Sequence, residues 1–367
     1  MFFFGFFLLL LVAYGGGHFG VYVWIVKFFS LENLQAKRVL ASFLLFAGSS
    51  FFLASALAHF FNSPLTRFYY YISGLWMGVL VNLLLFFAAG LLASFLVKLL
   101  NISLRDTILG VVCIVAALLL SAYGTYTAKH FIVKKIQVQI PNLPAYWQGK
   151  KIVQLSDVHL GFVYRGDLIA NIKQHLEKLQ PDMVVITGDL LDGSDGDLAW
   201  VREGIQNIHA PEGVYFVTGN HETYLGINKA EGILEGTTIK ELNDARVEKE
   251  GLQIVGISYP LRMENKDIKA AIESTGLDKS MPSILLYHSP VQIPKIKSTG
   301  ISLQLSGHTH LGQLFPFDYI TKMLYKGYDY GLKTEDGFSI YTTNGLGTWG
   351  PAMRTGNTPE MVEITLQ

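Results

Sequence analysis

The chain has 367 residues, with 29 basic and 29 acidic side chains, one cysteine and ten histidines. Half of the residues are hydrophobic and only 16% are charged, against about 25% in soluble domains, which excludes an ordinary soluble protein. A net charge of zero gives no ground for nucleic-acid binding by bulk electrostatics, and a single cysteine excludes an internal disulfide framework or a cysteine-rich metal site.

The charge is unevenly placed. Residues 1–128 hold only Lys27, Lys37, Arg38, Arg67, Lys98 and Arg105 against Glu32 and Asp106, whereas the following 239 residues hold fifty charged side chains. Four runs in the first part lack Lys, Arg, Asp and Glu: Phe2–Trp24, Val39–Phe61, Ile72–Val97 and Ile108–Ala128. A helix of about 20 such residues crosses the hydrocarbon core of a bilayer and satisfies its own backbone there, so each run predicts a transmembrane helix. Phe2–Trp24 lacks the positive n-region and small-residue cleavage site of a removable signal. Tyr69, Tyr70 and Tyr71 sit at a run edge, as interfacial anchors do. Gly16 and Gly20 have GxxxG spacing, which serves close helix packing or a local kink. His18 and His59 are isolated and read as neutral packed or interfacial groups, and Cys113 as a small hydrophobe. Four spans put both termini on one side. The overall Lys/Arg count is nearly balanced between the two sides. The first loop, with Lys27, Lys37 and Arg38, favours an outside N-terminus and therefore an extracytoplasmic C-terminal domain.

The second part alternates short β-rich runs with helix-period segments. Residues 131–139 predict a strand leading off the membrane. Further strands are expected at Lys151–Leu155, Met183–Thr187, Val214–Thr218, Gln253–Ile257, Ser283–Tyr287, Ser302–Leu305, Phe338–Thr343 and Met361–Leu366. In Asp167–Leu179, residues Leu168, Ile169, Ile172, Leu176 and Leu179 share one helical face; in Asp197–His209, Leu198, Val201, Ile205 and Ile208 do the same. Asp167 and Asp197 are the expected N-caps. The pattern is that of an α/β domain with an αββα arrangement.

Five of these strands run into the same kind of chemistry: Ser156-Asp157-Val158-His159, Gly188-Asp189, Gly219-Asn220-His221-Glu222, His288, and Gly307-His308-Thr309-His310. Ligands of α/β sheets bind beyond the carboxyl ends of strands, so these residues should converge. Asp, His and Asn donors suit Mn, Fe or Zn. Asp157 and His159, like His308 and His310, are two apart and share a face in extended backbone. Asp157, His159, Asp189, Asn220, His288, His308 and His310 are more ligands than one ion takes. Two ions with Asp189 as the shared carboxylate would use all seven, and such a pair can activate a water and clamp both oxygens of an in-line phosphoryl displacement. The remaining histidines, His18, His59, His130, His175 and His209, lie off these motifs.

The set in this order resembles the calcineurin-like metallophosphoesterases over about residues 148–367. The flanking Leu155-Ser156-Asp157, His310-Leu311-Gly312-Gln313 and Arg354…Pro359-Glu360-Met361 are most similar to its bacterial membrane-associated branch. The resemblance implies a four-layer αββα sandwich around a dinuclear centre. It implies Asp157, His159 and His310 on one metal, Asn220, His288 and His308 on the other, and Asp189 bridging. His221 matches the position that contacts phosphate as general acid or charge stabiliser. A protonated imidazole there could serve the leaving oxygen. Asp192 either orients His221 or is a solvated loop acid; Arg354 either binds phosphate or is a surface arginine.

The expected organisation is a transmembrane region of about four helices at 1–128, a juxtamembrane strand and linker at 129–147, and the phosphoesterase domain at 148–367. The expected function is hydrolysis of a phosphodiester, phosphomonoester or pyrophosphate by a bacterial membrane protein needing two divalent ions, with a lipid-linked or envelope compound as a sensible substrate. The alternatives are a transporter or channel whose metal-binding domain is regulatory, and a metal-binding receptor without catalysis. Transport is disfavoured because the four runs contain no internal Asp, Glu, Lys or Arg.

Overall fold

The computed structural model describes residues 2–193, 198–260 and 266–367, with backbone only for residues 2–10 and 59. It divides into two compact units.

The first unit comprises residues up to Tyr126 together with Gly350–Thr355. Its helices are α1 (Phe2–Phe28), α2 (Leu34–Phe60), α3 (Pro64–Leu99) and α4 (Asp106–Thr127). By length and composition α2, α3 and α4 could each cross a membrane; part of α1 has no described side chains. Helix α3 is 36 residues long and starts well before Ile72. Ser63 caps it, Pro64 occupies its first turn, and Thr66 completes a reciprocal cap, the chemistry that starts helices. Tyr69, Tyr70 and Tyr71 therefore lie within a helix and not at its edge. His18 is buried; its Nδ1 lies 2.9 Å from the Tyr14 carbonyl and its Nε2 accepts from Trp76 Nε1 at 2.9 Å. Cys113 is buried beside the Phe86 carbonyl. Asn82, fully buried, donates to Ser121 Oγ at 2.9 Å and to Met353 Sδ at 3.5 Å.

The second unit holds two six-stranded sheets. The first is ordered β1 (Ile132–Val138), β12 (Glu360–Leu366), β2 (Lys151–Leu155), β3 (Met183–Thr187), β4 (Val214–Val217) and β5 (Ile239–Glu241). The second is ordered β10 (Gly331–Glu335), β11 (Phe338–Thr342), β9 (Leu303–Ser306), β8 (Ser283–Tyr287), β7 (Leu252–Ile257) and β6 (Ala245–Lys249). Strands β2, β3, β4 and β5 are mutually parallel, as are β7, β8, β9 and β11.

Side-chain alternation along the strands makes the layers. Ile152, Val185, Val217, Ile254, Leu286 and Leu305 form one dry core shared by the two sheets. Val153, Val184, Ile186 and Phe216 face the other way, onto α5 (Gly166–Leu179), α6 (Ala199–Ile205) and α8 (Ile227–Leu234). Val255, Leu285 and Tyr287 pack on α9 (Ile268–Ser274) and α10 (Ile293–Lys297). This is a four-layer αββα sandwich. Buried polar side chains bridge the sheets: Gln154 Nε2 donates to Thr187 Oγ1 and to the Ser306 carbonyl, both at 2.9 Å, and the Tyr341 hydroxyl donates to Glu360 Oε1 at 2.8 Å.

The helix expected from Asp167 begins one residue earlier. Arg165 holds the cap position, without a side-chain cap, and Asp167 lies in the first turn, where its charge still favours the helix dipole. Helix α6 starts at Ala199; Asp197, its expected cap, lies outside the described residues.

Candidate metal centre

The predicted site residues leave the carboxyl ends of β2, β3, β4, β8 and β9. Their backbone is unusual. Asp157 (φ 52°), His159 (52°), Asp189 (51°), His308 (73°) and His310 (49°) all adopt left-handed conformations, which cost non-glycine residues about 1 kcal/mol or more and cluster at functional sites. The turns throw consecutive polar side chains inward instead of continuing the strand. Gly307 lets the loops close up: a Cβ there would lie 2.0 Å from Ser156 Oγ and 2.1 Å from Asp157 Oδ2.

All seven sequence-predicted ligands come together. Asp157, His159 and His310 form one group whose ligand atoms lie within 4.8 Å of one another; Asp189, His288 and His308 form another. Asp189 also groups with His159 and His221, so its carboxylate lies within reach of both groups. Asn220 joins through its Oδ1, 3.2 Å from His288 Nε2.

The donor chemistry fits cations. His288 Nδ1 lies 2.7 Å from the Thr187 carbonyl; donating there, it leaves the Nε2 lone pair inward. That atom faces Asp189 Oδ2 at 3.1 Å, His308 Nδ1 at 3.1 Å and Asn220 Oδ1 at 3.2 Å. On the other side His159 Nε2 faces His310 Nε2 at 3.1 Å, and His310 Nε2 lies 3.3 Å from Asp157 Oδ1. Acceptors crowded against acceptors need positive charge between them.

Titration preferences express the same crowding: without a cation between the acceptors, a proton takes its place. Burial lowers the His288 pKa, but the Asp189 and Asp157 carboxylates outweigh it and push the ring up to about 9. Burial and the neighbouring His288 drag His308 down to about 3. Burial raises Asp157 to about 6. Asp189 is equally buried, yet His288, His221 and His159 hold it well below the usual carboxylate range.

His221 sits beside this set, its ring centroid 4.5 Å from that of His159. Its backbone N–H donates to Asp189 Oδ1 at 2.9 Å, and its Nδ1 lies 2.6 Å from the Asp192 carbonyl. Asp192 thus meets His221 through its backbone, while its carboxylate lies 3.8 Å from His159 Nδ1. Burial opposes protonation of His221, but Asp189 and Asp192 raise its pKa above the ordinary histidine value.

A model of the calcineurin-like phosphoesterase family matches residues 150–312. Over 256 residues the chain is 33% identical to an uncharacterized metallophosphoesterase of Aquifex aeolicus, covering 68% of this chain and 97% of that protein. This chain belongs to the calcineurin-like metallophosphoesterase family. It is also 33% identical over 243 residues to an uncharacterized metallophosphoesterase of Campylobacter jejuni, covering 64% of this chain and 63% of that one. A Danio rerio relative, a transmembrane protein with metallophosphoesterase domain, is 30% identical over 285 residues, 72% of this chain and 63% of the relative. The chain thus spans 63% of the length of these last two relatives. The metallophosphoesterase domain and the apolar helices together make this a membrane-associated member of the family.

Further residues surround the metallophosphoesterase centre beyond the seven expected ligands and His221. Glu222 is fully buried and accepts the backbone N–H groups of Gly219 (2.7 Å), Asp189 (3.0 Å) and Leu191 (3.0 Å). Its place two residues after Asn220 was visible; its bonds to Asp189 and Leu191, some thirty residues upstream, were not. Tyr259 packs its ring on His288 and His308, Tyr325 on His308 and Tyr224 on His221. Arg354 is fully buried, not a surface arginine, and its segment belongs to the helical unit. His175 lies against Phe131, and His209 bonds locally to the Asn207 carbonyl.

Proposed function

We propose that this chain is a membrane-anchored phosphoesterase that uses two divalent ions. Asp157, His159 and His310 would hold one ion, Asn220, His288 and His308 the other, and Asp189 would bridge them. The observation that carries the reading is the pair of inward-facing acceptor clusters, His159–His310 and His288–Asn220–His308, with the Asp189 carboxylate within reach of both. Bound divalent ions would supply Lewis-acid neutralisation of phosphate charge and activation of the attacking water. Donors of this nitrogen and oxygen type suit Mn, Fe or Zn.

The protein's own part is positioning and proton transfer. Asp189 fixes His221 through the backbone N–H, and the Asp192 carbonyl fixes the ring at Nδ1. Nε2 then holds the proton delivered to the leaving oxygen as the bond from phosphorus breaks, while the oxygen of water forms the new bond. Glu222 locks the loop of Asp189 to that of Asn220.

The substrate class is a phosphodiester, phosphomonoester or pyrophosphate. A membrane anchor in the same chain as such a site favours a lipid-linked or envelope compound. The first positively charged loop favours an extracytoplasmic catalytic domain on a bacterial cell membrane. The test is hydrolysis of a chromogenic phosphodiester by the full chain with Mn²⁺, beside Asp189→Asn and His221→Ala. Equal rates for wild type and Asp189→Asn would overturn the dinuclear reading. Comparing intact with lysed cells on an impermeant substrate reports sidedness.

A further inference from the structure

Helix α11 (Phe317–Leu324) is placed differently from the domain's other helices of similar length. A helix of a soluble domain turns its apolar stripe into the core, but none of the side chains of α11 is buried. Tyr319, Ile320, Met323 and Leu324 form one stripe, and they are 66%, 46%, 72% and 66% exposed. The opposite face is the one turned inward: Thr321 Oγ1 lies 3.4 Å from Asp329 Oδ2, and Asp318 Oδ1 is buried without a hydrogen-bond partner among the described residues. Lys322 and Lys326 are exposed beside the stripe.

The helix is wired to the metal centre at both ends. Gly312, two residues after His310, has φ +73°, and a Cβ there would lie 2.3 Å from the Asp318 nitrogen. Tyr325, which follows the helix, packs its ring edge on His308 with centroids 6.1 Å apart. Gln313 bonds the carbonyl and N–H of Trp349, both at 3.2 Å, and Trp349 is 55% exposed. Aromatic and aliphatic side chains are thus displayed together, with lysines at the margin and the only acid of the helix turned away.

We infer that α11 is an interfacial helix that inserts its Tyr319–Ile320–Met323–Leu324 stripe into a lipid surface. Apolar stripe, amphipathic tyrosine and flanking lysines are what the headgroup layer of an anionic bilayer receives. A lipid surface is the partner that this chain brings with it, through three candidate membrane spans. Only four residues separate the last span from β1. Insertion would present His308 and His310 to phosphoesters held in the headgroup layer, a consequence that rests on the phosphoesterase reading; insertion itself does not.

The test uses the full chain in phosphatidylcholine vesicles with and without phosphatidylglycerol. In a Cys113→Ala background, Met323→Cys carries an environment-sensitive fluorophore, and Glu177→Cys on α5 is the control. Quenching by doxyl-labelled lipid at position 323 and not at 177, stronger with phosphatidylglycerol, is expected. An unquenched label at 323 overturns the inference, and so does a label shielded by a second copy, seen as cross-linking at 323 without lipid quenching. As a second measure, Ile320→Ser with Leu324→Ser should lower hydrolysis of a vesicle-embedded phosphoester about tenfold while sparing a water-soluble one. Equal loss on both substrates marks α11 as a structural support only and overturns the inference. Wild-type protein inactive on both substrates sinks the phosphoesterase reading, and the quenching result still decides insertion.

Discussion

Glu222 accepts the backbone N–H of Asp189 at 3.0 Å while being fully buried. With its further bonds to Gly219 and Leu191, one carboxylate clamps two loops that leave different strands. Glutamine in its place offers one acceptor oxygen and turns an NH₂ group toward a backbone donor. Glu222→Gln should therefore destabilise the protein by about 1–3 kcal/mol and loosen metal binding. Thermal unfolding with and without Mn²⁺ checks both. A variant with unchanged Tm and metal affinity would show that the clamp is dispensable.

His221 is expected to matter through the leaving group. If its Nε2 delivers the proton, His221→Asn should cost about 10²–10⁴-fold on an alkyl phosphoester and much less on a nitrophenyl ester, whose phenolate leaves unaided. Equal losses on both esters would assign His221 to charge stabilisation instead.

Chelation should act on stability as well as rate. Without cations, the facing nitrogens of His159 and His310 and the carboxylates of Asp157 and Asp189 are left close together. An ion present at a hundred times its Kd adds about 2.7 kcal/mol, so a chelator should lower Tm by several degrees. Asp157→Ala should shrink that difference. A Tm indifferent to chelator would argue against ions bound at these residues.

Glu241, on β5 and away from the centre, makes a pH prediction. Burial, with help from the Glu231 carboxylate, raises its pKa to about 7, and its Oε1 has no hydrogen-bond partner among the described residues. The folded state then holds a proton that the unfolded state releases, so stability falls as pH rises from the ordinary glutamate value through 7. Because the side chain is partly exposed, the effect is discounted to about 1 kcal/mol. Glu241→Gln should be more stable than wild type by that amount at pH 8, and the gain should fade toward pH 5. The same gain at both pH values would refute the linkage.

The site was legible in the sequence because its residues stand where apolar β runs stop. Asp157, Asp189, Asn220, His288 and His308 follow short apolar strands buried on both faces, and ligands at strand ends are a topological rule. Strands β5, β6 and β10 were missed for the opposite reason: Ile239–Glu241, Ala245–Lys249 and Gly331–Glu335 are short, polar edge strands. Helix α3 was cut short because Tyr69, Tyr70 and Tyr71 read as an interfacial edge, although Ser63-Pro64 stands at its start. Helix α5 starts before Asp167 with no side-chain cap at Arg165, so no capping residue marked its start. The role of Glu222 could not be read, since a carboxylate that binds backbone N–H groups leaves no pattern in the side chains it serves.

The left-handed backbone at Asp157, His159, Asp189, His308 and His310 sets activity against endurance at the same positions. Glycine would be comfortable at each of them, and a side chain is kept there for its chemistry. In the metal-free protein, glycine at one of these positions should give an inactive variant that outlasts the corresponding alanine variant on heating. Selection for thermal robustness alone would erode this centre from its backbone outward.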